Sequence, residues 1–308
     1  MTSIRYPIHP MHFTELLDGV FRVLRSRFTV FLPIALIFMG TGPFLMDLSS
    51  RLVFQPGRWT GVAEGAFFLL ALLIYSFSFL VLQPLLSAAA AGTTSYSLRK
   101  ERLTLREALK IAGRHSGPSI AAWLFLWILI AGGWIILAGL LFVPAVLARM
   151  AGAGEWIFGL GAFIFFPAAG AFFLFIMTRF FLIIPVIVEE KTAIFGAMKR
   201  SWQLTRSSFW RTMSLMIVLG LLTFSYQFVV SILSQSLFIP EWPWVLHGPI
   251  SLFMTVFYCI PQVLPPILAT LIYFDRRCRY EAMDLQAEID GWNGESALPP
   301  LSKERWPS

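Results

Sequence analysis

The side chains that most often catalyse reactions or hold metals are scarce in this sequence. Its four histidines, His9, His12, His115 and His247, are scattered. No two stand at the i and i+4 spacing that would aim both rings at one ion, and no HExxH occurs. Glu189 and Glu190 are adjacent carboxylates at the end of an apolar run, but no histidine lies within any such run to complete a metalloprotease site. No serine in an apolar run is followed by a histidine in a later one, which removes a serine-protease arrangement. Gly132-Gly133 and Gly159 to Gly161 sit in apolar helical stretches, where small residues let backbones pack closely, and do not form a phosphate-binding loop. The two cysteines, Cys259 and Cys278, lie along one segment and imply neither a disulfide framework nor a metal cluster. The expectation is no enzyme, no catalytic residue, no metal and no cofactor.

What does stand out is polarity inside apolar runs. Arg179 is the strongest case, because an arginine at the centre of a membrane span costs ~2.5 to 3.5 kcal/mol on insertion scales. It precedes Glu189 by about 15 Å along an ideal helix. Its guanidinium therefore reaches the nearer interface by snorkelling or lines an aqueous crevice. Gln83, Gln227 and Gln262 are neutral, and as interhelical hydrogen-bond donors they are worth about 0.6 kcal/mol each. Should Arg179, Gln83 and Gln262 face one another, they would form an intramembrane polar centre able to receive a lipid headgroup.

The elements that must position these residues follow from composition. Of the 308 residues 57% are hydrophobic and 13% charged, and the mean hydropathy is +0.72, against about 25% charged in a soluble domain. Apolar stretches able to cross about 30 Å of hydrocarbon run near 28–48, 63–90, 118–148, 156–188, 209–238 and 249–274. They predict an all-α polytopic bundle of about six transmembrane helices, bent at Pro84, Pro167, Pro185, Pro261, Pro265 and Pro266. The first span reads as uncleaved, since no small-residue cleavage motif ends it. Twenty of the 24 Lys and Arg fall before residue 28, in 99–114, in 191–211 and after 275, against three in 49–62, 149–155 and 239–248. That asymmetry places both termini in the cytoplasm of a multi-pass cell-membrane protein. It also accounts for the basic excess through anionic headgroups, so no nucleic-acid partner is expected. Trp59, Trp156, Trp242 and Trp244 suit an aromatic belt.

Each cytoplasmic segment carries apolar residues at helical spacing: Phe13, Leu16, Leu17, Val20, Phe21 and Leu24, then Leu105, Ala108, Leu109 and Ala112, then Ile194, Ala197, Met198, Ser201 and Trp202. These predict interfacial helices. Because the stretches start at Phe13, Leu103 and Thr192, each followed by two spans, residues 13–98, 103–190 and 192–275 read as three copies of an amphipathic helix plus hairpin, although evenly spaced spans alone would give a similar rhythm. Residues 1–290 form one transmembrane domain, and 291–308, with Gly291, Gly294, Pro299, Pro300 and Pro307, read as a short disordered cytoplasmic tail.

Three stretches resemble the family named for the membrane domain of glycerophosphoryl diester phosphodiesterases. They are Arg179 to Glu189 (RFFLIIPVIVE), Ala197 to Arg211 (AMKRSWQLTRSSFWR) and Tyr273 to Leu285 (YFDRRCRYEAMDL). In that family the membrane region is sometimes fused to a phosphodiesterase barrel with a His-Arg-Gly motif. This sequence has no His-Arg-Gly, so the resemblance implies the membrane module without its enzyme. The matched residues mark a cytoplasmic-edge motif: Glu189, Arg200, Trp202, Asp275, Arg277, Glu281 and Asp284. Arg200, Trp202 and Arg206 would sit at headgroup depth, with Asp275, Arg277, Glu281 and Asp284 pairing with those cations, Arg200 and Arg206, at the cytoplasmic mouth; equally, these residues could do no more than cap and orient helices. Two functions remain open. One is a non-catalytic module that scaffolds a membrane or cytoplasmic protein, or assists lipid or membrane-derived substrate handling at the inner leaflet. The other is a small-solute or lipid transporter or channel with a polar path near Arg179.

Overall fold

The computed structural model describes residues 11–53, 61–99, 103–150, 152, 156–237 and 244–281. The tail from 291 to 308, Asp284, Trp59 and Trp242 lie outside the described residues, as do the side chains of Trp244 and Glu281. Among the described residues the chain is helical throughout and has no strand. In order it runs α1 (Phe13–Ser26), α2 (Phe28–Met39), α3 (Thr41–Val53), α4 (Gly61–Phe77), a π turn (Ser78–Leu82), α5 (Gln83–Leu98), α6 (Leu105–Arg114), α7 (Ser116–Met150), α8 (Trp156–Phe180), α9 (Ile183–Glu190), α10 (Ile194–Arg206), α11 (Phe209–Ser236), α12 (Trp244–Cys259), a 3-10 turn (Ile260–Val263) and α13 (Leu264–Glu281). Among the described residues five helices are long and apolar enough to cross a membrane, and six if α2 and α3, bent by 60° at their junction, count as one span.

The order short helix, span, broken span recurs three times. Each break sits just before a proline, and the ring explains why. Proline lacks an N–H and crowds the carbonyl four residues earlier. For Pro84 that carbonyl is Leu80, inside the π turn; for Pro185 it is Phe181, between α8 and α9; for Pro265 and Pro266 it is Pro261 and Gln262, inside the 3-10 turn. Pro43 acts likewise on Met39, producing the α2–α3 bend that the sequence reading did not place. Pro167 lies inside α8, which continues through it without a break.

The halves that follow the three breaks, α5, α9 and α13, pack against one another at the centre. Their buried residues run nearly without interruption, from Gln83 to Ser95 on α5 and from Ile183 to Val188 on α9. Ala88 to Ala91, Gly92 and Thr93 keep α5 thin enough for close approach. A Cβ on Gly92 would stand 2.9 Å from Ile111 Cδ1 on α6.

The three amphipathic helices do more than lie at an interface. Leu16 and Val20, Ala108 and Ala112, and Ala197 and Ser201 are buried against protein, while Phe21 and Trp202 from the same stripes are exposed. α6 rests on α5 and α10 on α9, and α1, the first helix, rests on α13, the last. The set closes into a ring. Exposed Leu, Phe and Ile cover the outer faces of α4, α7, α8 and α11, as expected where hydrocarbon is the solvent.

Candidate functional site

Arg179 ends α8, next to the break that leads into α9. Its guanidinium carbon lies 4.6 Å from the ring centroid of Trp202, 5.0 Å from Phe209 and 5.4 Å from Phe175. Its Nε and Nη1 are buried and have no hydrogen-bond partner among the described residues. The cation is therefore held by ring quadrupoles, each worth ~0.5 to 2 kcal/mol depending on desolvation. Ser201 Oγ and Thr205 Oγ1 of α10 donate to its carbonyl at 2.8 and 3.3 Å. Arg179 thus ties α8, α10 and α11 together.

Gln83 opens α5 directly after the π turn and Gln262 lies in the 3-10 turn before α13, but they line different spaces. Gln83 lines a cavity of about 630 Å³ between α5, α7, α8, α9, α11 and α13, walled mainly by Trp123, Phe173, Met177, Ile184, Pro266 and Leu268. Gln83 Oε1 is buried without a partner among the described residues. Ile217 and Leu221, both exposed, form part of the wall, so on this side the cavity is bounded by α11, a helix at the outer surface of the bundle. Gln262 instead lines a second cavity of about 1140 Å³ toward the opposite end. Arg179 lines neither, and the three residues share no common space.

The charged end carries the network that the edge motif pointed to, with different pairings. Glu189 accepts from Ser95 Oγ and from Arg99 Nη2 at 2.7 Å. Arg99 is largely exposed, so that pair contributes at most about 1 kcal/mol. Glu190 accepts from Arg200 Nε and Tyr273 Oη, both at 3.1 Å, and Arg277 Nη1 donates to Tyr273 Oη at 3.3 Å. Asp275 is the fully buried hub. It accepts from the Met11 amide at 2.8 Å, Arg279 Nε at 3.1 Å and Arg211 Nη1 at 3.3 Å. Arg211 and Arg279 also donate to the Met11 carbonyl, so the peptide leading into α1 is gripped from both sides. The expected partners of Asp275 were Arg200 and Arg206, whereas its hydrogen bonds go to Arg211 and Arg279.

Sequence reasoning missed a polar cluster in the second cavity. Asp47 Oδ2 pairs with Arg51 Nε at 2.8 Å, and Arg51 Nη2 donates to the Ser234 carbonyl and hydroxyl at 2.8 and 2.7 Å. Ser234 Oγ in turn donates to Asp47 Oδ1. The visible signal was the i, i+4 spacing of an acid and a base on one helix. Among the described residues, no group of three or more His, Cys, Asp or Glu could hold a metal.

Apolar helices long enough to span, proline-broken at a buried centre and closed at one end by amphipathic helices, define a polytopic, all-helical integral membrane protein. Residues 153–274 match the family model described as the membrane domain of glycerophosphoryl diester phosphodiesterase, and no phosphodiesterase barrel is detected. The match spans two of the three stretches that carried the resemblance and the first two residues of the third. No curated protein and no solved structure matches the chain.

Proposed function

We propose that the protein is a non-catalytic membrane module that binds the apolar part of a lipid or lipid-like substrate within the bilayer. The observation that carries this reading is the 630 Å³ cavity at the three helix breaks. Its volume falls within the ~300 to 1,000 Å³ typical of small-ligand sites. Its wall is apolar, Gln83 Oε1 has no partner among the described residues, and the α11 side of the wall carries exposed apolar residues. The excess of Lys and Arg at the ring end favours a cytoplasmic placement of that end and of both termini, with substrate handled from the inner leaflet. The three helix sets are read as copies of one unit. The charged ring is the surface on which a membrane or cytoplasmic protein would be scaffolded.

Spin-labelled stearate added to the full chain in phosphatidylcholine nanodiscs tests the cavity. The expected result is an immobilised spectral component at about one per protein, lost in Thr223→Trp, which fills the cavity from α11. Equal immobilisation in a Thr223→Trp protein that melts like wild type refutes the reading. Passage of a solute or lipid is a second reading, favoured by the adjacency of the two cavities. Thr223 lines one and Phe224 the other, and Gln262 and Pro265 divide in the same way across the 3-10 turn. Anion flux in vesicles that is unchanged by Gln262→Trp would exclude it.

A further inference from the structure

The second cavity has chemistry of its own. Arg51 is only 3% exposed, and its guanidinium is fixed by three bonds through Nε and Nη2 to Asp47 and Ser234. The remaining nitrogen, Nη1, is buried with no partner among the described residues. Leaving a buried donor of a charged group unmade costs more than the ~1 to 3 kcal/mol typical of a neutral one, and an arrangement this constrained is a preset donor awaiting an acceptor.

Its surroundings say which acceptor. Both Asp47 oxygens are engaged inside the triangle, so Nη1 is the donor of the cluster left unmade, on a residue that lines the cavity. Gln235, Gln262 and Tyr75 line the same cavity and add neutral donors, while Phe224 and Phe228 form an apolar flank. Guanidinium nitrogens recognise planar or tetrahedral oxyanions, since they cannot accept a hydrogen bond and stay charged.

We propose that this cavity binds an oxyanion, a phosphate or carboxylate group, through Arg51 Nη1. The group could belong to the headgroup of an anionic lipid or to a water-soluble anion, and the cavity shares no lining residue with the apolar one.

The test uses the full chain with two probes. Phosphatidylglycerol is titrated against a phosphatidylcholine background and read by native mass spectrometry; inorganic phosphate is titrated by calorimetry. Wild type is expected to bind one of them at one per protein. Arg51→Lys keeps a charge beside Asp47 but removes the fork, and should weaken that binding about tenfold, the scale of one charge-assisted hydrogen bond. The uncharged double variant Asp47→Asn/Arg51→Gln should lose it. Binding of phosphatidylglycerol alone identifies the lipid source, and binding of phosphate identifies the soluble one. Ser231→Trp fills the cavity from α11 and leaves Asp47, Arg51 and Ser234 unsubstituted, so it decides the matter if a substitution at Arg51 fails to fold. The proposal is overturned if neither probe binds wild type, or if Ser231→Trp or a folded Arg51→Lys binds as well as wild type does.

Discussion

Removing the carboxylate of Asp275 should release α1 from the ring. In Asp275→Ala three hydrogen bonds disappear, from the Met11 amide at 2.8 Å, Arg279 at 3.1 Å and Arg211 at 3.3 Å. Breaking a fully buried ion pair costs ~3 to 5 kcal/mol, but that figure assumes the surviving charge stays dry. Arg279 and Arg211 have side chains 36% and 23% exposed, so water reaches them and each contributes about 0 to 1 kcal/mol. The Met11 amide adds about 1 to 3 kcal/mol. These contributions sum to roughly 1 to 5 kcal/mol, and Arg276, 7% exposed and 3.8 Å from the carboxylate, moves the loss toward the upper end, a fall in Tm of about 5 to 15 °C in detergent micelles. Asp275→Asn keeps an acceptor for Met11 and should lose about half as much. Amide hydrogen exchange localises the effect: α1 should exchange faster while α6, docked on α5, keeps its protection. A Tm within about 1 °C of wild type, or exchange rising equally in α1 and α6, would refute the clamp.

Other substitutions probe separate contacts. Arg179→Met exchanges three cation–π contacts for relief of two unpartnered buried nitrogens, so stability should change by less than about 1 kcal/mol, whereas Arg179→Ala empties the space between the rings and should cost about 2 to 3 kcal/mol by thermal melting. Gly92→Val drives a side chain into Ile111, and overpacking should cost about 1 to 3 kcal/mol, with part recovered when Ile111→Ala is added in a double-mutant cycle. Glu107, in the capping box of α6, has a pKa held below its ordinary 4.5 chiefly by the Thr104 amide and then by the Thr104 hydroxyl. A depressed folded pKa means the cap stabilises above that value and fades as pH falls through it. The first turn of α6 should lose exchange protection below about pH 4.5, and Glu107→Gln should remove the pH dependence.

Span positions and most of the breaks were legible because their causes are local: apolar runs of sufficient length, and prolines that remove a donor four residues from a carbonyl. Pro167 shows the limit of that rule, since α8 continues as helix through it. The aromatic setting of Arg179 was not legible. Its rings come from α8, α10 and α11, and only tertiary folding brings Trp202 and Phe209 over Phe175. Arg51 was hidden for a different reason. In the charge count it is one of the few positive residues of its loop, and its burial depends on Ser234, 183 positions away in the chain.

The docking of α1 on α13 has a consequence for synthesis. Met11 and Asp275 are 264 positions apart. At about 5 to 20 residues per second, α1 emerges roughly 10 to 50 s before the helix that completes its site. During that interval its apolar stripe, with Leu16 and Val20, has only the membrane surface to rest on. The ring can therefore lock only when the last span is in place, and a nascent chain stalled before α13 would expose an unlatched first helix that quality-control proteases could recognise.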